Sequence, residues 1–333
     1  MKRFLKAFLL GALLSCRALF FCGAKEAGLR IVSWNLQTFF DGVTDGSEYQ
    51  QFKGTKSPWS EKKYMARLEK LASALRAFDA DLVVLEELEK AGQLHDIYNQ
   101  LSGTFRFSSL YRYGAFASEP GAAIGVGVLS RFPLSEARAH ALDIGSERAR
   151  QPALRPLLEL VIQRDGRKLT LFVCHWKSKS GGEEASEIWR NFSENQLANL
   201  LSCDGNPYFI AGDFNRDLYE FNILSVSLSQ GYTGCVEFGR ENLSKLQTEK
   251  IKVNSAWLTI NSSQVYKDEG TYYYQNEWEK LDHFFFSPTI ELENFFTLKT
   301  DENLTENGTP FRYSVWNGKG YSDHFPIICI VNF

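Results

Sequence analysis

Short apolar runs, most of them closed by one or two polar residues, recur along this chain. Leu29-Arg30-Ile31-Val32-Ser33-Trp34-Asn35-Leu36 alternates well enough for a core strand and reaches a polar end at Asn35. Residues 41–60 are rich in Gly, Asp, Thr and Ser and read as a loop. Tyr64, Leu68, Leu71, Leu75 and Phe78 then recur at spacings of four, three, four and three, which predicts a helix with Ser60 as its N-cap. Leu82-Val83-Val84-Leu85 is a short strand followed by Glu86-Glu87. Strand, helix, strand implies a covered α/β sheet.

The same pattern continues. Residues 92–101 predict a second helix, and 105–113 with 124–130 a strand pair. Residues 157–163 and 169–174 flank Arg164-Asp165-Gly166-Arg167, and Asp-Gly is a strong hairpin-turn signal. The second of these strands runs into His175-Trp176-Lys177-Ser178-Lys179. Gly181-Gly182 break the chain before a helix expected to bury Ile188, Phe192 and Leu200. Tyr208-Phe209-Ile210-Ala211 is a strand that ends in Gly212-Asp213-Phe214-Asn215. Residues 222–269 show no clear pattern. Residues 272–274 and 281–286 read as late strands, with Asp282-His283 near the start of the second. The last apolar run, 325–331, follows Asp323-His324, and Pro326 removes a backbone donor at a strand's entrance, where that is tolerated.

Composition narrows this picture. A chain of 333 residues with 44% hydrophobic content buries a large core, and without repeats or long linkers it reads as one domain over 29–333. The first 24 residues stand apart: Lys2, Arg3 and Lys6 precede an apolar stretch interrupted by Arg17, the pattern of a secretory leader. Cleavage after Ala24 is the first reading, acylation at Cys16 behind Leu13-Leu14-Ser15 the second, and an uncleaved anchor the third. The expected location is therefore periplasmic, secreted or membrane-anchored as a lipoprotein. Loss of the leader's four cations takes the net charge from -3 to -3 - 4 = -7, which excludes a general nucleic-acid coater. Cys174 and Cys329 fall in strand patterns and read as buried thiols. Cys203 and Cys235 lie in loop-like contexts where an oxidising compartment would let them pair. No cysteine has zinc-site spacing with a histidine.

The polar ends of the runs supply Asn35, Glu86, Glu87, His175, Asp213, Asn215, Asp282, Asp323 and His324. Sheets bind ligands beyond the ends of their strands. Carboxylates, carboxamides and imidazoles gathered there suit hydrolysis of a phosphate ester with a hard divalent cation such as Mg2+, which takes oxygen ligands.

Six ordered motifs carry a family likeness: Ser33-Trp34-Asn35-Leu36, Leu85-Glu86-Glu87, Cys174-His175-Trp176-Lys177-Ser178, Gly212-Asp213-Phe214-Asn215, Leu281-Asp282-His283-Phe284 and Ser322-Asp323-His324-Phe325-Pro326. Together they resemble the endonuclease/exonuclease/phosphatase family, which includes deoxyribonuclease I, abasic-site endonucleases, sphingomyelinases and inositol-phosphate 5-phosphatases. The resemblance implies a four-layer α/β sandwich of two packed mixed β-sheets flanked by helices. It implies metal ligation (Mg2+, or Mn2+ or Ca2+) by Glu87 with Asn35 beside it and Asp323 completing the neighbourhood. Asp213 would orient or deprotonate the attacking water, Asn215 would hold a phosphate oxygen, and His324, oriented by Asp282, would bind the scissile phosphate or move a proton. His175 matches the histidine of the deoxyribonuclease-like and sphingomyelinase-like branches, a candidate general acid. Arg155 and Lys177 are candidate phosphate contacts, each set against an ordinary ion pair or a solvated loop. Glu86 stands where many members carry Gln and reads as solvated or structural. The expectation is an exported monomeric endonuclease on DNA or RNA. A sphingomyelinase-like phospholipase or phosphoinositide phosphatase is the alternative, and a non-catalytic surface binding protein the second; a membrane partner is expected only with a lipid anchor.

Overall fold

Each central strand carries an apolar row on its inner face, and the row turns polar at one end. The computed structural model describes residues 28–103, 110–142, 151–202, 205–224, 233–242, 247–259 and 269–333. In chain order the elements are β1 (Leu29–Phe39), α1 (Glu61–Phe78), β2 (Leu82–Leu88), α2 (Gly92–Ser102), β3 (Tyr113–Ala117), β4 (Gly125–Ser130), β5 (Leu134–His140), β6 (Leu157–Arg164), β7 (Arg167–His175), α3 (Glu183–Leu201), β8 (Tyr208–Asp213), β9 (Asn222–Leu224), β10 (Thr233–Asn242), β11 (Gln247–Thr259), β12 (Tyr272–Tyr274), β13 (Glu277–Glu279), β14 (Asp282–Phe286), β15 (Glu291–Thr297) and β16 (Ile327–Asn332). One sheet has the order β15-β16-β1-β2-β4-β3 and the other β5-β6-β7-β8-β14-β11-β10-β9. Both are mixed: β1 and β2 are parallel, as are β7 and β8, among antiparallel neighbours.

The two sheets face each other across a core of Leu29, Ile31, Val84, Val128, Leu160, Leu171, Phe209 and Phe284, among others. Helices α1 and α2 cover the outer face of the first sheet, packing Leu68, Leu71, Leu75 and Ile97 against Val32, Val83 and Leu129. Helix α3 covers the second through Leu197, Ala198 and Leu201 against Phe172, Ile210 and Phe285. This is the four-layer sandwich expected. Side chains alternate faces along a strand, so the inner rows read Leu29, Ile31, Ser33, Asn35 on β1; Leu82, Val84, Glu86 on β2; Leu169, Leu171, Val173, His175 on β7; and Phe209, Ala211, Asp213 on β8. On β14, which runs the other way, Asp282 leads Phe284 and Phe286. The polar ends of all five rows meet at one edge of the sandwich.

Several local expectations hold in detail. Asp165 and Gly166 both take left-handed φ (50° and 78°), the two-residue turn that joins β6 and β7. Ser60 sits at the N-cap of α1 in extended geometry, although its backbone carbonyl, not its hydroxyl, receives the first-turn amides. Others change. The strand placed at 105–113 is β3, which starts at Tyr113 and pairs with β4; residues 104–109 lie outside the described set. Helix α3 buries Trp189, Leu197 and Leu201 while Ile188 stays 49% exposed. Its rotation is fixed by Arg190, which is fully buried and donates to Ser186 Oγ (2.9 Å) and to the carbonyls of Lys177 and Glu183 (3.1 Å each). An unpaired buried guanidinium costs more than an exposed isoleucine. The leader and Cys203 lie outside the described residues, so the Cys203–Cys235 question is not addressed by the fold.

Gly212 links this core to the chemistry. Its φ is 139°, and a Cβ there would stand 1.9 Å from the carbonyl oxygen of Cys174 on the neighbouring strand. Gly212→Ala is expected to lower stability by about 3 kcal/mol or more and, through displacement of Asp213, to lower any activity further. Denaturant melts of the two proteins check this.

Candidate active site

Strand register brings the polar ends together. His175 lies directly opposite Asp213 across β7 and β8, and Asp282 opposite Asp213 across β8 and β14. Asn35 is paired with Glu86 across β1 and β2. Glu87 reaches the same edge by a different route. Strict alternation would send it toward the helices, but its left-handed φ of 66° and the register shift beside it turn its carboxylate into the cleft. A non-glycine residue in that region is uncommon and strained, a signature of functional positions. Thr38, itself left-handed, fixes the result by donating its amide to Glu87 Oε2 at 2.5 Å.

The cleft has a volume of about 720 Å3, and its floor includes Asn35, Glu87, Arg155, His175, Asp213, Asn215, Asp323 and His324. The Asn35 amide group donates to Asp213 Oδ2 (2.9 Å) and approaches Glu87 Oε1 (3.3 Å), while its oxygen accepts the Gln37 amide (2.9 Å). Asn215, left-handed at φ 47°, donates its backbone amide to Asp213 Oδ1 (2.8 Å) and its side chain to Asp213 Oδ2 (3.1 Å) and the Trp176 carbonyl (3.2 Å). His175 Nε2 stands 3.8 Å from Glu87 and 3.7 Å from Asp213. His324 Nδ1 pairs with Asp282 Oδ2 at 2.8 Å, and Thr271 donates its hydroxyl to the same oxygen at 2.5 Å. Trp34 Nε1 donates to the His324 carbonyl and Ser322 Oγ donates to the Asn35 carbonyl, tying the chain before β16 to β1.

Burial divides the titrating groups. His175 is pushed well below its ordinary value, first by desolvation and then by the charges of Arg155 and His324, so it is neutral near pH 7. Desolvation also opposes charge on His324, but the charge and hydrogen bond of Asp282, with Asp213 and Asp323 beyond, outweigh it and raise His324 well above its ordinary value. One imidazole is neutral and the other cationic. Desolvation pushes Asp213 up to about 7, with Asp282 adding to the rise and His324, Asn215 and Asn35 opposing it. Desolvation and then Asp323 raise Glu87.

The donor set at the floor is hard oxygen and imidazole with no thiol, which fits a divalent cation. Asp213, Asp282 and His324 place ligand atoms within 4.8 Å of one another. In that trio Asp282 Oδ2 is already engaged by His324 and Thr271, whereas Glu87 presents its carboxylate to the cleft and would gain most from a nearby positive charge. A second carboxylate group joins Asp45 and Glu48, in the loop after β1, to Glu89, just past β2, and there the Lys90 ammonium already sits 3.3 Å from Asp45, 3.5 Å from Glu89 and 3.0 Å from Asp41.

Of the residues singled out by sequence, Asn35, Glu87, Arg155, His175, Asp213, Asn215, Asp323 and His324 line one cleft, with Asp282 directly behind His324. Asp323 is tied to Arg312 at 2.9 Å. Lys177 is a correction: its ammonium folds back onto Ser178 O (3.0 Å) and Ser180 O (3.2 Å) and is not among the residues of the cleft, because those carbonyls lie within its own loop. Glu86 is not solvated; it is fully buried and accepts from Ser33 Oγ at 2.9 Å, with desolvation raising it well above its ordinary value. His283 is structural, bonded to the Arg216 carbonyl at 2.9 Å. Sequence reasoning missed Thr271, which follows the unpatterned stretch and gives no local signal, and Tyr49, which lines the cleft from a loop; Tyr272, which the sequence offers as core or rim with base stacking as the sharper reading, lines the cleft from the β12–β13 ribbon.

Comparison with known proteins bears on the family and the fold. A family model described as the Endonuclease/Exonuclease/phosphatase family matches residues 32–324. No curated protein sequence matches the chain. Among solved structures, D. rerio TDP2 humanized by 14 mutations superposes with a TM-score of 0.56 at 16% identity, over 92% of this chain and 99% of that one. D. rerio TDP2 complexed with single strand DNA product gives 0.50 at 15%, over 92% and 99%. The human Nocturnin catalytic domain with a bound sulfate anion gives 0.54 at 16%, over 92% and 94%. At these identities the likeness is one of fold.

Proposed function

The chain belongs to the endonuclease/exonuclease/phosphatase family, and from that premise we propose that it is an exported, divalent-metal-dependent phosphodiesterase of the nuclease type, acting on DNA or RNA. The observation that carries the chemistry is the meeting of a neutral imidazole, a cationic imidazole and the Asp213 carboxylate at one cleft floor. Two things support a nucleotide-bearing substrate. TDP2, a protein of like fold, is seen complexed with a single strand DNA product. The cleft wall here also carries Tyr272 and Tyr274, their rings near parallel at 24°.

The residues divide the work as follows. Glu87, with Asn35 and Asp323 beside it, would hold Mg2+. Bound there, the cation supplies positive charge that polarises a phosphoryl oxygen and offsets the crowded carboxylates. Asp213, with an acidity near neutral, accepts the proton of the attacking water, and Asn215 and Asn35 fix the orientation of its carboxylate. The His324 imidazolium, aimed by Asp282, gives a charge-assisted hydrogen bond to the phosphate. His175 is held neutral, so it suits hydrogen-bond donation to the departing oxygen better than outright release of a proton. Arg155, half-buried at the cleft near Glu87 and Asp213 and bonded to the Trp176 carbonyl, adds a fixed positive charge at the floor.

The test is incubation with plasmid DNA, RNA and sphingomyelin, each with magnesium and with chelator. Magnesium-dependent cleavage of nucleic acid is expected. Cleavage of the lipid alone would overturn the nuclease reading and favour a sphingomyelinase-like enzyme.

A further inference from the structure

The floor of the cleft is built for one phosphate, but its rim is not built for the phosphates on either side. Lys179 is the rim cation nearest the ribbon, and its ammonium is taken up by Glu279 (2.7 Å), Glu220 (3.0 Å) and Glu183 (3.1 Å). Glu277 adds an exposed carboxylate on the same wall. Beside Tyr272 the Arg312 guanidinium is matched by Asp323. Lys177, the cation that the sequence placed on the substrate path, is folded onto its own loop. Among the described residues of the cleft, the rim thus presents Glu183, Glu277 and Glu279 against Lys179 alone. A protein that holds the interior of a polynucleotide neutralises several consecutive phosphates with lysine and arginine. Carboxylates at those positions repel them.

The ribbon offers something else. Alternation along β12 sends Tyr273 across to Trp278 (5.0 Å between ring centres) and leaves Tyr272 and Tyr274 in the cleft. The Tyr272 ring lies 4.8 Å from the His324 imidazole, and Tyr274 is 53% exposed. An aromatic base resting on this pair would sit beside a phosphate held by His324, and stacking of this kind needs no particular base.

We propose that the cleft accepts an isolated or chain-terminal nucleotide ester, one phosphate beside one base, and turns away the interior of a polynucleotide. This rests on the phosphodiesterase reading above and replaces endonucleolytic cutting with attack at ends.

The experiment compares three substrates with magnesium: the p-nitrophenyl ester of thymidine 5′-phosphate, a dinucleotide, and closed-circular plasmid. A polyanion reader loses about a thousandfold or more in affinity between about 50 and 200 mM salt. Here the small esters are expected to change by less than about threefold over that range, while plasmid nicking per bond stays at least about a hundredfold slower and rises as salt screens the rim. Glu277→Lys is expected to raise the ratio of plasmid to nucleotide-ester turnover severalfold at low salt. Plasmid cut fastest, with a rate that collapses as salt is added, or a ratio unmoved by Glu277→Lys, would overturn the inference and leave the phosphodiesterase reading standing. Inertness toward all three substrates would overturn both.

Discussion

Glu87→Gln is expected to lower phosphodiester hydrolysis by about a thousandfold or more, while the melting temperature in chelator stays near that of the parent protein. The carboxylate faces the cleft, and its main structural bond is the one it accepts from the Thr38 amide, which a carboxamide oxygen can also accept. Its charge is a burden on the fold without a cation, since desolvation and Asp323 raise it above the ordinary carboxylate range. A carboxyl raised in this way contributes stability below its unfolded value, and that contribution is lost as pH rises through the folded one. At neutral pH the neutral Gln side chain is therefore tolerated. Added magnesium should raise the melting temperature of the parent protein and leave that of the variant unmoved. Calorimetric melts with and without the ion, beside rates, separate the outcomes: an unaffected rate would mean a binding protein or a misplaced site.

Asp282→Asn is expected to lower kcat by about a thousandfold at neutral pH, with a smaller change in KM. Asp282 is fully buried and supplies the charge that keeps His324 protonated against desolvation. In the parent protein the imidazolium persists well above the ordinary histidine value, so the rate should fall only far on the alkaline side. Asparagine can hold the ring in place but brings no charge, so desolvation wins and His324 becomes neutral. The alkaline fall then moves to or below neutrality, and part of the lost rate returns as pH is lowered. The same linkage reaches stability. The raised His324 stabilises the fold below its unfolded value and up to its folded one, and without Asp282 about 3 kcal/mol of this is expected to disappear near neutral pH. A pH–rate profile of the variant decides the matter; a loss that acid does not relieve would show that Asp282 acts only as a packing element.

Much of the site was legible because the inner-face rows follow a rule of two. Once β7 is read as Leu169, Leu171, Val173, the next inward residue must be His175, and the same step gives Asp213 after Ala211. Register then does the assembly, and adjacent strands cannot avoid bringing His175, Asp213 and Asp282 side by side. Glu87 is the exception. Its place depends on a left-handed backbone that alternation does not predict, and the family motif, not the period, identified it. The long hairpin of β10 and β11 escaped because its buried positions, among them Val236, Phe238 and Val253, are few and separated by polar residues such as Glu237, which pairs with Lys252. In the ribbon, the sequence shows β12 at 272–274 but not its partner β13. Its reversal lies in Gln275 and Asn276, both left-handed, a turn without the glycine that usually announces one. Lys177 misled because side-chain direction in a glycine- and serine-rich loop is set by whichever carbonyls are close.

Strand β16 lies between β1 and β15, so a stretch far along the chain from β1 is held inside the first sheet and carries His324 in with it. Asp282 and the imidazole it orients thus enter the site from two separate strands, with β15 and a long loop between them. Proteolysis in the stretch between them is therefore expected to disarm the site at a distance from it.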